Sequence, residues 1–147
     1  MWDSKKGFTL PEIITVLLLI TLLFSFAVPS LMDSWQQVRL DCTIQQLHRD
    51  LRWAQREAVK EQRKIAVTFY RDRQPYRYSI RYTGTVTNLR YRTLPIKLDQ
   101  MTAQTLTVNP DKTFQKNGHI LFRKGVHERY VYYYQTGRTR VTKAPTI

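Results

Sequence analysis

The distribution of apolar and polar residues divides the chain into three consecutive parts. Residues 13–32 carry no formal charge and are mostly apolar, and as a helix they would span roughly 30 Å, the thickness of a bilayer's hydrocarbon core. After Asp33, apolar residues recur every three to five positions, which indicates an amphipathic helix. From about residue 64, apolar and polar residues alternate in a way that is typical of half-buried strands.

The first two parts predict one continuous helix from about residue 8 to about residue 61. Pro29 falls inside this helix, where a proline removes one backbone hydrogen bond, so we expect a kink there. The predicted apolar face of the outer half comprises Leu31, Trp35, Val38, Cys42, Leu47, Leu51, Ala54 and Ala58. Cys42 is the only cysteine, which excludes an intramolecular disulfide and makes it a helix-packing residue in this prediction.

The third part predicts a mainly antiparallel sheet of six or seven short strands. The predicted strands span residues 64–71, 76–83, 86–93, 104–108, 119–124, 129–134 and 138–143. Gln74-Pro75 and Asn117-Gly118 are strong turn signals between them. The expected fold class is therefore α+β, with a long, kinked, hydrophobic N-terminal helix packed on a mainly antiparallel β-sheet domain.

The composition adds a strong excess of positive charge. The chain has 147 residues, with 24 Lys and Arg against 11 Asp and Glu, and a formal net charge of +13. This length fits one domain plus its anchor. A protein this basic is expected to lie next to a polyanion, such as nucleic acid, teichoic acid or an anionic lipid surface.

No catalytic constellation is recognisable in the sequence. His48, His119 and His127 lack the spacing of metal ligands. Neither a nucleophile elbow nor a glycine-rich phosphate loop is found. We therefore predict that the protein is not an enzyme and has no metal or cofactor site.

A single carboxylate, Glu12, stands at the edge of the apolar run. An unpaired carboxylate in a membrane segment is costly, so Glu12 either has a partner or lies at the headgroup boundary. Lys5-Lys6-Gly7 followed by Phe8-Thr9-Leu10-Pro11-Glu12 resembles the class III signal of type IV pilins and pseudopilins.

This resemblance implies that a prepilin peptidase cleaves between Gly7 and Phe8 and methylates the new amine of Phe8. It also implies that Glu12 pairs with the amine of Phe8 in a neighbouring subunit, which would set the register of a filament. The corresponding segments are a leader peptide (1–7), a transmembrane or filament-core helix (8–32), the amphipathic half of the same helix (33–62) and a globular β-rich domain (63–147).

A second segment, residues 50–59 leading into 65–69, resembles the helix end and first strand of minor pseudopilins from type II secretion and competence systems. Taken together, the resemblance is closest to ComGD-type subunits of the Gram-positive competence pilus. It implies a minor pilin needed for DNA uptake in transformation. The implied partners are other pilin subunits, the prepilin peptidase, the membrane and DNA.

Lys5 and Lys6 precede the apolar run, so the N-terminus is expected in the cytoplasm and the remainder outside, at the cell surface or in a pilus. Three alternatives stay open. A pseudopilin of a type II-like protein secretion system would have the same N-terminus. A membrane-anchored or secreted nucleic-acid-binding module would need the basic strands but not Glu12. An ordinary signal peptide would be cleaved after Ala27, because Ser25-Phe26-Ala27 is a small-x-small site.

Arginines interleaved with tyrosines form the candidate nucleic-acid surface. The candidate DNA-binding residues are Arg71, Arg73, Arg77, Arg81, Arg90 and Arg92, with Tyr76, Tyr78, Tyr82 and Tyr91 between them. Alternation places Arg77 and Arg81 on one sheet face, opposite Tyr76, Tyr78, Ile80 and Tyr82. The same composition also fits a solvated basic face that packs on neighbouring subunits. A second basic group near Tyr130, Tyr132, Tyr133 and Tyr134 comprises Arg123, Lys124, Arg129, Arg138, Arg140 and Lys143.

Overall fold

A computed structural model describes residues 9–72 and 74–143 of the protein. Within these residues one helix precedes eight strands. They are α1 (Leu10–Lys60), β1 (Ile65–Tyr70), β2 (Tyr76–Tyr82), β3 (Asn88–Leu94), β4 (Lys97–Met101), β5 (Thr105–Val108), β6 (Gly118–Lys124), β7 (His127–Tyr133) and β8 (Thr139–Thr142). The chain divides into two compact units, with the boundary between Trp35 and Gln36, so that α1 contributes to both.

The first unit is the apolar part of α1. The amides of Glu12 and Ile13 donate hydrogen bonds to the carbonyl oxygen of Thr9, at 3.1 and 3.2 Å, and Pro29 lies within the helix. The large apolar side chains of this unit are exposed. By length and composition, α1 is the one helix in the described part of the chain that is able to span a bilayer, with a mean hydropathy of 2.4 in its most apolar window.

The second unit contains two four-stranded antiparallel sheets. Sheet A has the order β3-β2-β1-β5 and sheet B the order β4-β6-β7-β8. The seven predicted strands are confirmed with ends shifted by two residues or fewer, but the prediction of one sheet with six or seven strands is wrong. The missed strand, β4, has charged residues at Lys97 and Asp99 and a bulge between Leu98 and Gln100. This irregularity disrupts the alternation that identifies a strand.

A single row of buried side chains runs along the outer half of α1. It comprises Leu40, Ile44, Leu47, Leu51, Ala54 and Ala58, which are almost fully buried. Their spacing alternates between four and three residues, so they lie on one stripe of the helix. This stripe packs in one hydrophobic core with residues of both sheets, among them Val67, Ile80, Ile120 and Val131.

The predicted apolar face of α1 is confirmed from Leu47 onward and wrong before it. Leu31, Trp35 and Val38 are exposed, and Cys42 is a free, exposed cysteine rather than a packing residue. Two apolar series with helical spacing compete in this region, one through Val38 and Cys42 and one through Leu40 and Ile44. Only the second faces the sheets.

Truncating the buried stripe should therefore destabilise the protein far more than truncating Cys42. We expect Leu51→Ala to lower the free energy of unfolding by about 2–5 kcal/mol, because it leaves a cavity in the core. Cys42→Ala should change it by no more than about 0.5 kcal/mol, as is usual for surface positions. Denaturant unfolding of the detergent-solubilised chain, followed by circular dichroism, measures both values. Equal losses would contradict the assignment of the buried face.

Candidate nucleic-acid interface

The first basic group does not form one surface. In the register of β2 and β3, Arg92 lies opposite Tyr78 and Arg90 opposite Ile80. Because directly paired residues share a face, Arg90 and Arg92 are on the core side of sheet A. Arg77 lies on the other face of β2, because its guanidinium contacts Tyr91, which pairs with Ser79 between Tyr78 and Ile80.

On that outer face, the guanidinium of Arg77 lies 5.8 Å from the ring centre of Tyr91, a side chain that is 48% exposed. Arg71 is exposed at the start of the turn between β1 and β2, and Arg73 lies outside the described residues. The outer face of sheet A therefore offers a small patch of cations rather than a continuous arginine and tyrosine surface.

Arg90 and Arg92 are engaged by a buried carboxylate of α1, Asp50, which is 4% exposed. Arg90 Nη1 lies 2.8 Å from Asp50 Oδ1, and Arg92 Nε lies 3.5 Å from Asp50 Oδ2. The hydroxyl of Tyr78 donates to the same carboxylate at 2.6 Å, and the guanidinium of Arg90 lies 3.9 Å from the ring of Trp53. These two arginines neutralise a buried carboxylate.

Burial is the main cause that raises the pKa of the Tyr78 phenol above its usual value. The hydrogen bond to Asp50 and the negative charge of Asp50 raise it further. The phenol therefore stays protonated and remains a donor to the carboxylate. The cluster fastens α1 to two adjacent strands of sheet A.

The second basic group contains arginines that are paired with carboxylates and cations that are exposed. Arg129 is buried, and its Nε donates to Asp41 Oδ1 of α1 at 2.9 Å. Arg123 pairs with Asp99 at 3.0 Å and with Glu128 at 2.6 Å. The remaining exposed cations of this group are Arg138, Arg140 and Lys143. None of these three forms an ion pair with a carboxylate among residues 9–72 and 74–143.

Aromatic rings line the solvent-facing side of sheet B. Along β7, Val131 and Tyr133 point into the core and are buried. Tyr130, Tyr132 and Tyr134, which we call the tyrosine row, lie on the opposite side and are partly exposed. Neighbouring ring centres are 6.1 and 6.4 Å apart, and in both pairs the ring planes differ by 18°. This order follows from the strand itself, because every second side chain points to the same face.

The tyrosine row is flanked by nitrogen-bearing side chains on both neighbouring strands. In the registers of sheet B, Tyr132 lies opposite His119 of β6 and opposite Arg140 of β8. The ring centre of His119 is 5.7 Å from that of Tyr132. Arg140 therefore lies on the same face of the sheet as the row, beside its central ring.

Beyond the end of β7 the row leads into an open cavity of about 620 Å³. We call it the arginine cavity. Its lining comprises Asn117, Tyr134, Gln135, Thr136, Arg138, Thr139 and Arg140. Two guanidinium groups, one phenol ring and several hydrogen-bonding groups thus border the same space, and such a set is able to hold a phosphate together with a planar ring.

The turn that carries Arg138 is held in place by side chains of α1. Gln55 Nε2 donates to the carbonyl oxygens of Lys112 and Gly137, both at 2.8 Å. His48 Nε2 lies 2.7 Å from Thr139 Oγ1, and burial, with a smaller contribution from the charge of Arg52, lowers the pKa of His48. The position of the arginine cavity is thus fixed by the helix.

Gly137 is required by the geometry of this turn. Its φ is +81°, and a Cβ atom there would lie 2.5 Å from the carbonyl oxygen of Lys112. A side chain at this position would therefore strain the backbone and displace a neighbouring turn.

The candidate DNA-binding residues predicted from the sequence belong to the first basic group, whereas Arg138 and Arg140 belong to the second. Two signals in the sequence favour the second group. No acidic residue follows Glu128, and alternation along a strand separates Tyr130, Tyr132 and Tyr134 from Tyr133. In the described part of the chain, no group of three or more His, Cys, Asp and Glu residues is placed to hold a metal ion.

The cluster around Asp50 should contribute measurably to stability. Asp50→Asn keeps an acceptor for the Tyr78 hydroxyl but removes the charge opposite Arg90. We expect the free energy of unfolding to fall by about 1–2 kcal/mol, at the low end for charged hydrogen bonds because Arg90 is partly exposed. Asp72→Asn, at an exposed turn position, is the matched control for denaturant unfolding. Equal effects of the two changes would show that the cluster is not stabilising.

Solved structures share this architecture. Two crystal forms of the type IV minor pilin FimU from Pseudomonas aeruginosa superpose on the protein with TM-scores of 0.62 and 0.60, at 18% and 19% sequence identity. The matched regions cover 72% and 70% of this chain and 90% and 92% of the FimU chains. No protein-family model matches the sequence, and no curated protein is similar to it. The protein thus has the type IV pilin fold, an α+β architecture in which a long N-terminal helix packs on antiparallel sheets.

Proposed function

We propose that this protein is a minor pilin, a structural subunit of a type IV filament that takes up DNA during transformation, as the ComGD-type subunits of competence pili are. The observation that carries the proposal is the type IV pilin fold, which it shares with FimU. The N-terminal motif from Lys5 to Glu12 supports the same role. The function is mechanical assembly, and the DNA contact is a property of the β-rich unit.

The exposed apolar side chains of residues 9–35 supply the driving force for assembly. Each square ångström of apolar surface that contacts water raises the free energy by about 25 cal/mol. The segment is therefore stable only when lipid or other apolar helices surround it. Before assembly it spans the membrane with the N-terminus in the cytoplasm. In the filament, neighbouring helices replace the lipid, and the β-rich unit reaches the cell surface.

The processing and register residues of the proposal lie at the start of the chain. Cleavage between Gly7 and Phe8 and methylation of Phe8 concern residues outside the described part. Glu12 is exposed in the first turn of α1, where it is accessible to the amine of Phe8 in an adjacent subunit. Two charges that are each costly in an apolar environment then neutralise one another. The kink at Pro29 remains a prediction.

We place the DNA contact on sheet B. Arg138 and Arg140 border the arginine cavity, are exposed, and are not neutralised by a described carboxylate. Arginines in this state bind phosphate and release the counterions of DNA, which gives affinity that falls with salt. Arg77 and Arg81 lie on β2 of sheet A, and Arg71 follows the end of β1.

Glu12 should be required for assembly but not for membrane insertion. We expect Glu12→Leu to abolish filament formation, because the amine of Phe8 in the next subunit loses its partner. Electron microscopy of sheared filaments measures assembly. Glu61→Gln, which removes a carboxylate beyond the other end of α1, is the matched control.

The intact mass of the membrane-extracted chain completes this test. Both variants should begin at N-methylated Phe8, as the unchanged protein should. A chain cleaved after Ala27, or normal filaments of Glu12→Leu, would overturn the assignment of Glu12.

The two arginines of the arginine cavity should dominate the salt dependence of DNA binding. Gel-shift titrations of the detergent-solubilised chain measure how log K falls with log salt. In the double variant Arg138→Gln, Arg140→Gln this negative slope should become shallower by the amount that about two phosphate contacts contribute. The matched control is Arg77→Gln, Arg81→Gln on the outer face of sheet A. A larger effect of the control pair would move the contact to sheet A. Normal filaments without any DNA binding would favour a secretion pseudopilin.

A further inference from the structure

The tyrosine row is not needed to fill the hydrophobic core. On β7 that role belongs to Val131 and Tyr133, which are buried among residues of both sheets and α1. The three rings of the row instead lie on the outer face, partly exposed. Neighbouring ring planes differ by 18°, so the three rings form one stacked series along the strand, which ends at Tyr134.

Charge on this face increases toward one end of the row. Arg140 lies beside Tyr132, and Arg138 and Arg140 border the cavity at Tyr134. At the other end, Glu128 is paired with Arg123. A polyanion is therefore attracted to the end of the row at Tyr134. If the polyanion contains aromatic rings, these rings contact the tyrosine side chains that lie next to the cations.

The ring spacing selects the form of nucleic acid that fits. Neighbouring ring centres lie 6.1 and 6.4 Å apart, almost twice the roughly 3.4 Å rise per nucleotide along one strand of duplex DNA. In a duplex the base faces are stacked on one another, and only the base edges are accessible in the grooves. Faces become available to aromatic side chains in single strands, where stacking on protein rings is largely independent of sequence.

From this combination we infer that the tyrosine row is a base-stacking surface, so that the protein binds a single-stranded segment or frayed end of DNA. Phosphates lie at Arg138 and Arg140, and bases stack on Tyr132 and Tyr134. The inference rests on the proposed function for the DNA contact itself. It adds the strandedness of the ligand and the residues that recognise its bases.

The test separates stacking from electrostatics by removing the bases from the ligand. Fluorescence anisotropy compares the detergent-solubilised full chain with an oligothymidine of about twelve nucleotides, within the usual range of single-strand sites, and with an abasic deoxyribose-phosphate oligomer of equal length. We expect the oligothymidine to bind roughly tenfold more tightly than the abasic strand, the scale of one stacked base. A duplex of the same length should bind more weakly than the oligothymidine.

Two variants assign the effect to the row. Tyr132→Leu and Tyr134→Leu keep an apolar side chain but remove the aromatic face, so each should reduce the preference for oligothymidine and leave abasic binding unchanged. Tyr91→Leu, at an exposed tyrosine of sheet A, is the matched control and should keep the full preference. If Tyr132→Leu unfolds the chain, Tyr134→Leu decides, because Tyr134 lies beyond the end of β7.

The outcomes distinguish the inference from the proposed function. Equal affinities for the oligothymidine and the abasic strand, with clear salt dependence, overturn base stacking and leave an electrostatic DNA contact. A preference that survives in both variants overturns the tyrosine row as its cause. Absence of salt-dependent binding to every ligand overturns the DNA contact itself.

Discussion

The β-rich unit depends on the packing of one helical stripe against two sheets. Polar side chains flank that stripe on both sides at intervals of seven residues, close to two helical turns. Asp41, His48 and Gln55 bond to sheet B or to the turns beside it. Asp50 and Glu57 bond to sheet A. The helix is thus fixed in rotation as well as in position, because turning it would break polar contacts on both flanks.

This constraint decides which cations are available outside the protein. Asp50 and Arg129 are buried, and a buried charge needs a partner of opposite sign. Arg90 pairs with Asp50, and the partly exposed Asp41 of the helix pairs with Arg129. A net charge of +13 therefore overstates the cations that are free to bind a ligand. Among the exposed cations of the β-rich unit, Arg138 and Arg140 lie at the turn held by Gln55.

The two units of the chain perform different physical tasks. Residues 9–35 carry exposed apolar surface, which is suited to lipid or to other helices and unsuited to water. The β-rich unit has its own core and carries the tyrosine row and Arg140 on the outer face of sheet B. In the proposed function, the apolar unit carries assembly and sheet B carries the DNA contact.

Local sequence patterns were sufficient to predict the features that depend on neighbouring residues: the long helix, seven of the eight strands and the α+β class. The sequence did not decide which helical face is buried, since Val38 with Cys42 and Leu40 with Ile44 fit the same period. It also did not reveal the second sheet, the strand β4 or the pairing of Arg90. Burial and ion pairing depend on partners distant in the chain, and only the tertiary structure brings those partners together.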